Sequence, residues 1–354
     1  MAKVVSVGVA DAPYKFNQTE ARDFIHRLFS HSREDIERLI SVFDNSTIEI
    51  RHFTQPREWF SKQCGFKERN DSYIRNACSL SKAAVVGCME GIGAAFSDFD
   101  HMVFVSSTGI STPSIDALLI NELRLDVHLK RTPIWGLGCV GGAVGLSRAL
   151  EYTTAFPEGA VLLIALEICS MAFHRDDYSK SHIVATALFS DGAAAALIVG
   201  RKHRLFDLKG INLIDSHSTI YYDSLDVMGW EIADTGFKVI FSKDIPSIVR
   251  RYLRSNVEEF IGRHGLAISD ITHFVVHPGG PKVISSYEES LDLPNGELVY
   301  SRKVLREHGN MSSPTVLYVL KEFLEDGRFS PGDYGLISAL GPGFSSELLL
   351  FQTS

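Results

Sequence analysis

Ser97-Asp98-Phe99-Asp100-His101-Met102-Val103-Phe104-Val105 is answered later in the chain by Ser269-Asp270-Ile271-Thr272-His273-Phe274-Val275-Val276-His277, with Ser, Asp, His and Val identical in register. Each copy is a polar turn followed by an apolar run of strand type. Two further pairs keep the spacing. Cys139 stands 41 positions after Asp98, and Asn310 stands 40 after Asp270. The run Val161-Leu162-Leu163-Ile164-Ala165-Leu166 is matched by Tyr334-Gly335-Leu336-Ile337-Ser338-Ala339. The offsets are 172 (97 to 269), 171 (139 to 310) and 173 (161 to 334). Constant offsets over three segments indicate a duplicated fold.

Between these landmarks strands and helices alternate, which points to an α/β fold with helices layered on mixed sheets. Helical patterns cover 18–30, 34–43, 73–96, 114–123 and 244–264, with cap-like starts at Asn17-Gln18-Thr19-Glu20 and Ser32-Arg33-Glu34-Asp35. Strand patterns cover 103–106, 161–166, 194–199, 274–276 and 348–351. The change of halves falls at Lys202-His203-Arg204, dividing 1–203 from 204–354. No Gly/Ser-rich or Pro-rich linker intervenes, so the halves are expected to pack as one unit.

Cys139 lies in Trp135-Gly136-Leu137-Gly138-Cys139-Val140-Gly141-Gly142-Ala143, which leads into a helical stretch from Leu146. A thiol at a helix start faces unpaired N–H groups and the positive end of the dipole, and both favour the nucleophilic thiolate. An ordinary buried cysteine is the alternative. His277 closes an apolar run just before Pro278-Gly279-Gly280, and Asn310 precedes the helical stretch 316–323. Singly, one reads as a core histidine and the other as a helix cap. Together, a Cys with a distant His and Asn is a recurring nucleophile set whose members meet only in space. In a duplicated fold, Cys139 and Asn310 occupy equivalent helix starts that a pseudo-twofold would bring together.

Composition narrows the function. The 354 residues are 45% hydrophobic and carry a net charge of −8, so a nucleic-acid partner is not expected. Five cysteines without CxxC spacing (Cys64, Cys78, Cys88, Cys139, Cys169) suit reduced thiols in the cytoplasm better than disulfides or a metal site. The amino-terminal run 3–9 is strand-like and lacks a signal-peptide pattern, and no apolar stretch is long enough for a membrane span.

Over nearly its whole length the chain resembles a type III polyketide synthase, the chalcone-synthase-like family of the thiolase superfamily. The resemblance is carried by Trp135-Gly-Leu-Gly-Cys139-Val-Gly-Gly, Ala187-Leu188-Phe189-Ser190-Asp191-Gly192-Ala193, His277-Pro278-Gly279-Gly280, Gly309-Asn310-Met311-Ser312-Ser313 and Gly341-Pro342-Gly343. The first block, and Phe173-His174-Arg175-Asp176-Asp177, are closer to bacterial members. The resemblance implies a thiolase-like fold of duplicated α/β/α/β/α layers with mixed five-stranded sheets, and a homodimer. It implies Cys139 as acyl-carrying nucleophile, His277 and Asn310 as stabilisers of a malonyl-derived enolate, and Phe189 as gatekeeper. Ser312 and the turn Gly341-Pro342-Gly343 would line the site. Acyl-CoA and malonyl-CoA are substrates; no cofactor and no metal are called for.

The departures concern substrate. Lys243-Asp244-Ile245-Pro246 marks the second gatekeeper region, yet Phe237 lies two residues too far upstream of it. Of the basic residues at the CoA tunnel mouth, Arg38 matches one, while Ser41 and Asn45 replace others; Arg51 or Lys282 would substitute. Thr112, Cys169 and Ala172 replace bulkier or more polar residues of the plant enzymes' cavity, which suggests a medium- or long-chain fatty acyl starter and an alkylpyrone or alkylresorcinol product. Two alternatives stand beside this reading: a single-condensation 3-ketoacyl synthase of the fatty-acid initiation type, and a non-catalytic thiolase-fold scaffold.

Overall fold

The computed structural model describes residues 1–29, 36–242, 244–294 and 296–354. In chain order the strands are β1 (Ala2–Asp11), β2 (Tyr14–Asn17), β3 (Ile50–Phe53), β4 (His101–Val105), β5 (Lys130–Ile134), β6 (Ala160–Ile168), β7 (Asp191–Gly200), β8 (Ile211–Ile220), β9 (Met228–Ala233), β10 (Gly236–Phe241), β11 (Ile271–Val276), β12 (Tyr334–Gly341) and β13 (Ser345–Thr353). Nine of them form one mixed sheet in the order β11-β12-β13-β8-β1-β7-β6-β4-β5. The first half supplies five strands and the second four, joined where β1 pairs antiparallel with β8.

The repeat is real in three dimensions. Asp98 and Asp270 each accept the backbone N–H three residues back, from Ala95 (2.6 Å) and Ala267 (2.8 Å), closing the same short turn ahead of β4 and β11. β4 runs parallel to β6, which pairs antiparallel with β7. β11 likewise runs parallel to β12, which pairs antiparallel with β13.

Strand alternation sorts the core into layers, because successive side chains face opposite sides. Val103, Val105, Leu163 and Ala165 join Val275 and Ile337 around the central helices Gly141–Ala155 and Thr315–Asp326. Met102, Phe104, Leu162 and Ile164 face the other way, onto the helices Phe66–Glu90 and Ile115–Leu123. Phe274, Val276, Leu348 and Leu350 do the same for Ile245–Gly262 and Pro281–Leu291. Outer helices, the strands of one half, the central helix pair, the strands of the other half and outer helices give the expected layering, but within one continuous sheet whose second half has four strands, not the five expected.

Most element boundaries agree with the sequence reading to within a few residues. The helix expected over 73–96 is the exception: it runs Phe66–Glu90 and gives way to Gly91 and Gly93, the latter at φ 62. Its first turns carry Lys67, Glu68, Asn70 and Asp71, whose polarity hides the helical period. The cap-like start 32–35, residue 30 and Lys243 lie outside the described residues.

Candidate active site

Cys139 sits in a single turn of 3-10 helix, Gly138–Val140, directly ahead of the helix Gly141–Ala155, and is 4% exposed. The Ser107 hydroxyl accepts the N–H groups of Gly136 (3.2 Å) and Gly138 (3.0 Å) and shapes the approach to it. Small residues are required here by crowding. A Cβ on Gly142 would lie 2.2 Å from the Ser313 carbonyl oxygen, and one on Gly341 would lie 2.6 Å from that of Leu137. The Gly141 start and the 312–315 segment are therefore in backbone contact: the two equivalent helix starts meet, as the repeat implies. The turn Gly341-Pro342-Gly343 closes over the cysteine loop, with Pro342 against Gly138.

Asn310 enters from the second half. Its N–H donates to the Leu188 carbonyl and its carbonyl accepts the Ser190 N–H, both at 2.9 Å, which locks it beside Phe189. Its side-chain oxygen accepts the Ser312 N–H (2.8 Å), and its Nδ2 donates to the Gly279 carbonyl (3.2 Å). Ser312 is held at φ 62, a conformation that costs a non-glycine residue energy and concentrates at functional sites. The Ser312 and Asn310 side chains both hydrogen-bond the Cys139 sulfur. His277 follows β11 directly, and its N–H donates to the Ser338 carbonyl (2.8 Å). It is 3% exposed, and neither ring nitrogen has a hydrogen-bond partner.

The electrostatics correct one expectation. Burial pushes the Cys139 thiol up to about 11, outweighing its hydrogen bonds to Ser312 and Asn310. Burial also pushes the His277 imidazolium down to about 3. The helix start does not make a resting thiolate, because loss of water outweighs the dipole. Thiol and imidazole are both neutral, and no hydrogen bond joins them.

A carboxylate that the sequence reading missed lies next to the thiol. Glu167 accepts from the Ser107 N–H (2.9 Å), the Thr108 hydroxyl (2.8 Å) and the Ser313 hydroxyl (2.9 Å). Burial raises its carboxyl to about 7, and its charge in turn disfavours thiolates at Cys139 and Cys169. Its signal was available: one glutamate inside the otherwise apolar run 160–168.

The remaining predicted residues divide between two spaces. Cys169, Ala172 and Phe189 line a narrow, mostly apolar cavity of about 70 Å3, which continues past Phe24, Ile25 and Phe60. Val239, two residues after Phe237, lines this cavity too. Phe237 instead packs against Phe66 and Trp230, and the rings within about 6 Å of Phe189 are those of Phe241 and Trp230. Arg38 and Lys282 share a separate groove with Lys180 and Arg250, two cations the sequence reading did not single out. Gly279 and Gly280 also line this groove, so it reaches the His277 loop.

Arg51 does not belong to that groove. It is 2% exposed and donates from Nη1 to the carbonyls of Thr186 and Phe189, the latter at 3.0 Å. Its guanidinium lies over the Phe43 and Phe53 rings, so it braces the Phe189 segment instead of meeting CoA at the surface. Thr112 lies on an exposed loop near Ile110 and lines neither space.

Models of the N-terminal and C-terminal domains of chalcone and stilbene synthases match residues 1–202 and 212–354. A putative chalcone synthase of Bacillus subtilis (strain 168) is 47% identical over 362 residues, covering 99% of both chains. The 1,3,6,8-tetrahydroxynaphthalene synthase of Streptomyces peucetius subsp. caesius is 33% identical, covering 99% of this chain and 92% of that one. The crystal structure of 1,3,6,8-tetrahydroxynaphthalene synthase from Streptomyces coelicolor A3(2), a bacterial type III polyketide synthase, superposes with a TM-score of 0.94 at 28% identity over 99% of each chain.

Proposed function

The chain belongs to the chalcone and stilbene synthase family, among the bacterial type III polyketide synthases, and on that premise we propose that it extends fatty acyl-CoA starters with malonyl-CoA. As a polyketide synthase it is an acyltransferase that performs decarboxylative Claisen condensation on CoA thioesters.

In this reading Cys139 loses its proton to His277 only when a thioester occupies the site. The sulfur attacks the acyl carbon, and CoA leaves as the thiol with that proton. Malonyl-CoA then loses CO2, and the enolate charge on its thioester oxygen is met by His277 Nε2–H and the Asn310 amide. Such donors are worth roughly 3 to 4 kcal/mol each. The enolate carbon attacks the Cys139 thioester, a C–C bond forms, and the sulfur is released. What supports these roles is convergence: Asn310 lies against the Cys139 sulfur, and its amide reaches the Gly279 carbonyl, two residues from the buried His277. CoA would lie along the groove of Arg38, Lys180, Arg250 and Lys282.

The starter reading rests on the cavity behind Phe189. From Cys169 and Ala172 outward its wall is mainly aromatic and aliphatic, which suits an alkyl tail, with Arg51, Arg57, His182 and Thr186 as its polar lining. Two or three extensions followed by attack of an enol oxygen on the thioester would release an alkylpyrone; aldol closure would give an alkylresorcinol. Incubation with palmitoyl-CoA and malonyl-CoA, followed by product mass, tests this. Triketide or tetraketide pyrones are expected, whereas a single 3-ketoacyl product would favour the initiation-type synthase.

A further inference from the structure

Asp11, His52 and His308 converge beside the segment that leads into Asn310. Asp11 ends β1, His52 lies on β3, and His308 ends the helix Val299–His308, two residues before Asn310. One donor atom from each lies within 4.8 Å of the others. His308 Nδ1 is 2.9 Å and His52 Nδ1 3.8 Å from Asp11 Oδ1. We propose that Asp11, His52 and His308 form a divalent transition-metal site, with zinc as the fitting ion.

The geometry is close to what the ion needs. Bonds of about 2.0–2.2 Å to nitrogen and oxygen place tetrahedral ligands roughly 3.3 Å apart, between the two distances observed. Rotation of the two histidine rings toward a common centre completes the set, since all three donor atoms already lie within 4.8 Å of one another. His52 Nδ1 is buried and has no hydrogen-bond partner, so its lone pair is uncommitted. The Tyr318 hydroxyl donates to Asp11 Oδ1 at 3.2 Å and orients the carboxylate from outside the ligand set. Asp11 is partly exposed, which leaves an approach for the ion and a fourth position for water. The neighbouring ammonium of Lys15, across from His52 in the β2–β3 pair, is the opposing charge.

Asp11 and His308 are 297 positions apart, so no spacing motif announces the site. A bound ion would tie β1 and β3 to the His308-Gly309-Asn310 segment, stabilising the placement of Asn310 without touching substrate. Titration of the chelator-treated protein with Zn2+, and with Co2+ as a visible probe, should give one equivalent per chain. His52→Ala and His308→Ala should abolish it, and Tyr318→Phe should weaken it about tenfold. Absence of binding to the wild-type chain, unchanged binding in the folded histidine variants, or a thiolate-to-cobalt charge-transfer band would overturn the proposal. Anomalous diffraction at the zinc edge from wild-type crystals decides it if the variants do not fold: a peak among these three residues supports it, and a peak elsewhere or none rejects it.

Discussion

Cys139 and His277 rest as neutral thiol and imidazole, and this has a direct chemical consequence. With the thiol pushed up to about 11, its alkylation by iodoacetamide should climb about tenfold per pH unit between roughly pH 7 and 9. A plateau from pH 6 upward, read by intact mass, would instead report a resting thiolate. Cys139→Ala should abolish polyketide formation while leaving slow CO2 release from malonyl-CoA, because His277 and Asn310 remain; full condensation in this variant removes the nucleophile assignment. Glu167 carries a stability prediction. Burial raises its folded pKa to about 7, above the 4.5 of a solvated glutamate, so the native state prefers the protonated acid. That stabilisation is complete below about pH 4.5 and is lost as pH rises through 7, to the order of 3 kcal/mol. Thermal melts of Glu167→Gln should therefore lose less stability than wild type between pH 6 and 8; identical slopes would contradict the buried acid. Cys139 and Asn310 were legible because the repeat fixes their spacing. Arg51 was not, because a guanidinium is normally solvated, and only the carbonyls of Thr186 and Phe189 explain its burial.

At the scale of elements, the site depends on how closely two helix starts approach. Gly142→Ala would force a Cβ toward the Ser313 carbonyl oxygen and should cost about 1–3 kcal/mol in denaturant unfolding. Gly262→Ala, at the end of a helix with open space around it, should be neutral or slightly stabilising. Equal effects of the two would mean that crowding at Gly142 is unimportant. Long periodic segments announced themselves in the sequence, and the repeat marked β4 with β11 and β6 with β12 as equivalent strands, whose parallel pairing only the structure shows. The β9–β10 hairpin did not, since its alternation is diluted by Glu231, Asp234 and Lys238. Phe237, Val239 and Phe241 share one face of β10, and of these Val239 lines the cavity while the Phe241 ring lies 6.2 Å from that of Phe189.

On the molecular scale, the duplicated fold explains why a catalytic set can be spread over 171 positions, from Cys139 to Asn310, and still converge. It also leaves an apolar face: Ile110 and Trp135 are 48% and 50% exposed beside the exposed Thr112 loop. Such a face suits a second copy of the chain, so sedimentation at micromolar concentration should give twice 39.2 kDa; a monomer would contradict it. The central claim is that the cavity behind Phe189 selects an alkyl starter. Each methylene buried there contributes about 0.8 kcal/mol, or about fourfold in affinity. The direct measurement is kcat/KM across saturated acyl-CoA starters from acetyl to palmitoyl, for wild type and Ala172→Phe. The account predicts efficiency that rises with chain length in wild type and collapses for the longest starters in the variant; efficiency that falls as the chain lengthens would contradict it.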